Sequence, residues 1–160
     1  MPRRVLGLDP GSVRTGWGVI ERSGQTARGI AAGVIQVPQK APLAERLAAV
    51  HRGVTEVLAL HKPDAVAIED IFFARFPQAA LMLGHARGVA LLAAAQAGLS
   101  VSTYPPAVVK RAVVGSGRAE KQQVAILVGT LLGLRELPGE DATDALAIAL
   151  THLNVSRVGV

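Results

Sequence analysis

The chain has 160 residues, half of them apolar, the size of one domain able to bury a proper core. It contains no cysteine, which excludes a disulfide framework and a Cys-ligated zinc site. Lys plus Arg number 17 against 12 Asp plus Glu, a net charge of +5 that favours a polyanionic partner, and 13 of the 17 bases are Arg, suited to bidentate phosphate contacts. The apolar run after Arg3 and Arg4 is too short for a signal peptide, and the longest apolar stretch, Val89 to Leu99, is shorter than the roughly 20 residues of a membrane span. A single cytoplasmic domain over residues 1–160, without membrane association, is the expectation.

The apolar run Val5 to Leu8 ends on one acid, Asp9, and the turn Pro10-Gly11-Ser12 follows at once. This reads as a strand with a carboxylate at its tip, although Asp also starts turns for purely local reasons. Trp17 to Ile20, with Gly16 and Gly18 interleaved, returns as the second arm of a hairpin that holds Asp9 at its mouth. Arg28 to Val37 supplies a third strand of the same antiparallel sheet. From Pro42, apolar residues Leu43, Leu47, Val50, Val54, Val57 and Leu58 recur at steps of three and four, an amphipathic helix stopped by Pro63. Ala65 to Ile68 is a short strand ending in Glu69-Asp70, so a second strand ends in carboxylate.

All three Phe of the chain, Phe72, Phe73 and Phe76, follow within five residues and beside Arg75. Buried Phe ordinarily fills core. Aromatics and a base at a strand exit also stack on distorted or unpaired bases, and since the other core segments use Val, Leu, Ile and Ala, Phe72 is assigned that role. Pro77 to Ala97 reads as an Ala- and Leu-rich helix carrying Gly84, His85, Arg87 and Gly88, and Leu99 to Tyr104 as a further strand. Strand and helix alternate in this half, which implies parallel pairing.

Val108 to Val114 gives a short helix. The segment GSGRAEK, Gly115 to Lys121, then opens a helix to about Leu132. Its glycines can cradle a phosphate at the helix N-terminus, and Arg118 and Lys121, unfavourable against the dipole, make sense beside an external phosphate. Lys110 and Arg111 extend that patch. The spacing is not that of a Walker A loop. A last helix runs from about Asp141 to Leu153, with Asp141 and Asp144 on one side of its first turn, positions at which capping is the ordinary explanation.

Taken together, GLDPGS with TGWGVI, IEDIF, LGHARGVA, VVKRAVVGSGRAEKQQV and EDATDALAIALTH, spread from Val5 to about His152, resemble the RuvC family of Holliday junction resolvases, the crossover junction endodeoxyribonucleases of the ribonuclease H-like superfamily. The resemblance implies an α/β fold with a five-stranded mixed sheet, an antiparallel meander followed by parallel strands, flanked by helices. It places catalytic, metal-holding acids at Asp9, Glu69, Asp141 and Asp144, the junction-probing aromatic at Phe72, and functional lysines at Lys110 and Lys121. Phe73, Arg75 and Arg118 are further DNA-contact candidates. The chain departs from the family pattern at Val13-Arg14, at Trp17 in place of Tyr, at His85 in place of Gln, and at Arg75-Phe76.

Four converging carboxylates would repel one another, so the cluster makes sense as a cage for divalent metal. Oxygen-only ligands favour Mg²⁺, two ions per site in the family's manner, with Mn²⁺ as substitute. The implied activity is metal-dependent paired hydrolysis of opposed strands of a four-way DNA junction during recombination and repair, leaving 5′-phosphate and 3′-hydroxyl ends. The implied partners are a second copy in a C2 homodimer and a RuvA–RuvB-type branch-migration complex. A RuvC-like RNA-processing nuclease shares the acid-tipped hairpin but not IEDIF, the Phe cluster or GSGRAEK. A non-cutting binder of structured nucleic acid would need the acids to be accidental, and an actin-like ATPase would need a second lobe that 160 residues do not supply.

Overall fold

Strand β1, Arg4–Asp9, is buried on both faces because its side chains alternate between two helical layers. The computed structural model describes residues 2–70 and 77–158 of the chain. Phe72, Phe73 and Arg75 lie outside the described residues. Strands β2, Arg14–Ser23, and β3, Thr26–Gln36, complete an antiparallel meander, and β4, Ala65–Glu69, and β5, Val101–Tyr104, add parallel strands. The sheet order is β3-β2-β1-β4-β5, as the five-stranded mixed sheet of the sequence reading requires.

Helices α1, Leu43–His61, and α2, Pro77–Gln96, cover one sheet face. Leu6, Leu8, Val19, Val66 and Ile68 meet Val50, Val54, Leu58, Ala90 and Ala94 there. Helices α3, Pro106–Val114, α4, Lys121–Leu131, and α5, Glu140–Val158, cover the other, where Val5, Ile20 and Ala67 meet Val109, Val128, Leu146 and Ile148.

Glycines set the height of α5 above the sheet. A Cβ on Gly7 would stand 2.0 Å from the Ala145 carbonyl oxygen, one on Gly16 2.1 Å from that of Asp141, and one on Gly18 2.7 Å from the Leu146 side chain. The interleaved glycines of the first hairpin therefore form a side-chain-free seat on which α5 rests directly against backbone.

Three expectations need correction. The N-terminus of α4 is not an open phosphate cradle. Glu120 occupies the N-cap in a capping box with Gln123, whose Oε1 accepts from the Glu120 N–H at 3.2 Å, so the protein supplies its own acid to the dipole. Asp141 and Asp144 do not cap α5, which begins at Glu140. The apolar segment around Val89 is longer than its uninterrupted run suggested: α2 is the one helix among the described residues long and apolar enough to cross a membrane. Its Ala86, Ala90, Ala93 and Ala94 face is buried within the fold, while Leu81 and Leu92 stand 62% and 51% exposed.

Candidate active site

The topology brings the four predicted acids to one end of the sheet. β1 and β4 are parallel neighbours paired through Leu8 and Ile68, so Asp9 and Glu69 follow as the next residues on adjacent strand ends. Asp9 is also opposite Gly16 in the β1–β2 pairing, and Gly16 is where the backbone of Asp141 presses onto the sheet. One turn further along α5, Asp144 faces Glu69 across a cleft of about 250 Å³ that Lys110 and Lys121 also line. A second cleft of about 270 Å³ opens on the other side of Glu69, bounded by Asp9, Asp70, Leu83, Arg87 and Pro106.

Electrostatics mark the acids as mutually opposed. Burial, then the charges of Asp144, Glu69 and Asp141, push the Asp9 carboxyl up to about 7. Glu69 and Asp144 are also raised, chiefly by burial. Protein cations offset part of this. Lys121 Nζ bonds Glu140 and lies 3.2 Å from Asp144 Oδ2, which holds its ammonium above the ordinary lysine range, the Glu140 hydrogen bond foremost. Arg14 Nε donates to Asp141 Oδ2 at 2.5 Å.

As placed, no three Asp, Glu, His or Cys side chains among the described residues are grouped tightly enough to ligate one ion. The donor chemistry still fits a hard divalent cation. All four groups are carboxylates, and Asp9 is left short of countercharge by its own neighbours, the condition a cation relieves.

Of the predicted contact residues, Lys110 and Lys121 share a cleft with Glu69 and Asp144. Arg118 lies before α4, its backbone N–H bonded to Ser116 Oγ at 3.2 Å. Two residues escaped the sequence reading as site components. Arg87, noted there only as a residue of the helix, lines the Asp9–Glu69 cleft, lies 3.7 Å from Asp70 and donates to Thr103 Oγ1 at 3.2 Å. Arg14 was visible only as a departure from a family pattern, and its partner lies 127 residues away.

Comparison with known proteins agrees with this arrangement. The family described as crossover junction endodeoxyribonuclease RuvC matches residues 5–152. Proteins of that name from Azorhizobium caulinodans and Rhodopseudomonas palustris are 55% and 51% identical, covering 93% and 94% of this chain and 88% and 87% of their own lengths. The structure of Thermus thermophilus RuvC in complex with a Holliday junction substrate superposes with a TM-score of 0.93 at 42% identity, covering 98% of this chain and 96% of that one. The yeast mitochondrial Holliday junction resolvase, at 12% identity and a TM-score of 0.70 over 95% of this chain and 78% of its own, shares the fold. A match over nearly the whole chain places this protein in the RuvC family of crossover junction endodeoxyribonucleases.

Proposed function

We propose that this chain is the nuclease that resolves four-way DNA junctions by metal-dependent hydrolysis of phosphodiesters on opposed strands. The observation that carries the reading is the meeting of Asp9, Glu69, Asp141 and Asp144 at one sheet end, with Asp9 driven up to about 7 by burial and by the other three. These acids would hold the metal, Mg²⁺ with Mn²⁺ as substitute, two ions per site. When bound, it supplies Lewis-acid activation of water and of the scissile phosphate.

The chain's own bases do the rest. Lys110 and Lys121 sit across the cleft from Glu69, where a strand phosphate would replace Glu140 and Asp144 as the partner of Lys121. Arg87, on the other flank of Glu69, is placed to hold a neighbouring phosphate. Arg118 extends the basic surface before α4. Phe72, three residues after Glu69 in sequence, is the proposed stacking residue, with Phe73 and Arg75 beside it.

Paired incision needs two sites, so a C2 homodimer is proposed, and the exposed Leu81 and Leu92 of α2 support α2 as the face that closes it. A cytoplasmic location and junction delivery by a RuvA–RuvB-type motor complete the reading. One gel tests it: with Mg²⁺ the protein is expected to cut a synthetic four-way junction into symmetric nicked duplexes while sparing linear duplex and structured RNA. Preferential cutting of RNA would favour the RNA-processing alternative, and tight junction binding without cutting the non-cutting one.

A further inference from the structure

The turn that follows Asp9 is tied down more firmly than a solvent loop requires. Arg46 donates through one terminal guanidinium nitrogen to the Ser12 carbonyl at 3.0 Å, and Gln39 Nε2 lies 3.2 Å from the same oxygen. The Val37 N–H donates to the Val13 carbonyl at 3.1 Å. Gly11 lets the turn close on itself, since a Cβ there would stand 2.5 Å from the Arg14 carbonyl oxygen. The residue delivered by this anchored turn is Arg14, the first of β2, and its Nε meets Asp141 Oδ2 at 2.5 Å. On the other side, Gly16 lets the backbone of Asp141 settle onto β2, so both partners are positioned by backbone.

We infer that Arg14 is a built-in competitor for Asp141, a positioning residue that occupies this carboxylate and sets how much divalent cation the site needs before it loads. The inference rests on the reading of Asp141 as a metal-holding acid. Arg14 takes up Asp141 Oδ2 and sets a positive charge beside the carboxylate, so a divalent cation must displace Arg14 to use that oxygen and must overcome its charge to use either one. With the Arg14 and Asp141 side chains 51% and 31% exposed, solvent screens the pair enough for the exchange to be reversible. Lys121 is a poorer candidate for the same role, because its ammonium is shared between Glu140 and Asp144.

The test counts free Mn²⁺ by electron paramagnetic resonance in the absence of DNA, so no turnover enters the readout. Arg14→Gln should tighten Mn²⁺ binding by about three- to tenfold, the range for removing one partly screened cation beside a divalent ion. Arg14→Lys, which keeps charge without the guanidinium geometry, should fall between Arg14→Gln and the parent chain. Arg52→Gln, on the α1 face of the sheet, removes the same charge and should leave binding unchanged. With the junction present, Arg14→Gln should also reach half-maximal cutting at lower Mg²⁺. Equal Mn²⁺ affinity for Arg14→Gln and the parent, or equal tightening by Arg52→Gln, overturns the inference. Asp141→Asn separates the two levels. If it weakens Mn²⁺ binding while Arg14→Gln changes nothing, only the role of Arg14 fails; if it leaves binding intact, the reading of Asp141 as a ligand fails as well.

Discussion

Gly16→Ala separates the seat of α5 from ordinary packing. The added methyl would lie 2.1 Å from the Asp141 carbonyl oxygen and 2.5 Å from its carbonyl carbon, and real Cβ atoms essentially never approach closer than 3.0 Å, so the first turn of α5 must lift by about 0.9 Å. Overpacking of this kind costs about 1–3 kcal/mol, roughly 3–10 °C in Tm for a chain of this size. The effect on chemistry should be larger. Misplacing reacting groups by about 1 Å costs on the order of a hundredfold in rate, and here Asp141 and Asp144 are carried away from Asp9 together. Two neighbours calibrate the result. Gly7→Ala meets backbone in the middle of α5, with Ala145 O at 2.0 Å and Ala149 N at 2.8 Å, and should lose most stability. Gly18→Ala meets chiefly the Leu146 side chain, at 2.7 Å, with the Leu146 backbone nitrogen no nearer than 3.0 Å, and should lose least. Thermal melts and single-turnover junction cutting on the same preparations give both quantities. If Gly16→Ala cuts at the parent rate per folded molecule, α5 does not owe the placement of its acids to this seat.

Lys110→Ala should lower the log-log salt slope of junction affinity by roughly 0.9, the value for one duplex phosphate contact, as read by gel shift across a salt series. Lys121→Ala should slow cutting more than it weakens binding, since its ammonium lies against Asp144 and Glu140, and single-turnover rates set against the gel shift separate the two. Glu21, with its side chain 5% exposed, is bonded by Arg4 and Arg28, and the Arg4 hydrogen bond above all holds its carboxyl below the usual range. Its contribution is therefore full above the ordinary glutamate value of 4.5 and is lost as pH falls through the lowered one. Glu21→Gln should lower Tm at pH 7 and flatten its decline in acid, and an unchanged acid limb in a pH series of melts would contradict the assignment. Sedimentation should show a dimer at micromolar concentration that Leu81→Glu or Leu92→Glu weakens.

The strand ends were legible because the signal is local: Val5 to Leu8 and Ala65 to Ile68 are apolar runs that stop on an acid, and a parallel crossover between them leaves Asp9 and Glu69 as neighbours. Boundaries were less so. β2 begins at Arg14 rather than Trp17, because Arg14 and Thr15 carry no apolar alternation yet still pair with β3. α5 continues past Leu153 to Val158, and Asn154 there donates through Nδ2 to the Ala112 carbonyl at 3.3 Å, a contact between remote segments. The seat formed by Gly7, Gly16 and Gly18 was invisible as such. Its glycines have a meaning only once α5, more than a hundred residues later, lies against them. The pairing of Arg14 with Asp141 escaped for the same reason, since a charge contact between remote segments leaves no periodic trace. In GSGRAEK the bases Arg118 and Lys121 were legible, but the capping box was not, because it shows only once Glu120 and Gln123 bond each other at the start of α4.

The central claim is that cutting requires the acids at the end of the sheet, whereas junction affinity does not depend on them. Its most direct test is Asp9→Asn, which removes the charge of the most strongly perturbed carboxyl and leaves the lysines and arginines in place. Junction affinity by gel shift should stay near that of the parent, while single-turnover cutting in Mg²⁺ falls below detection. Cutting at the parent rate by Asp9→Asn would contradict the account.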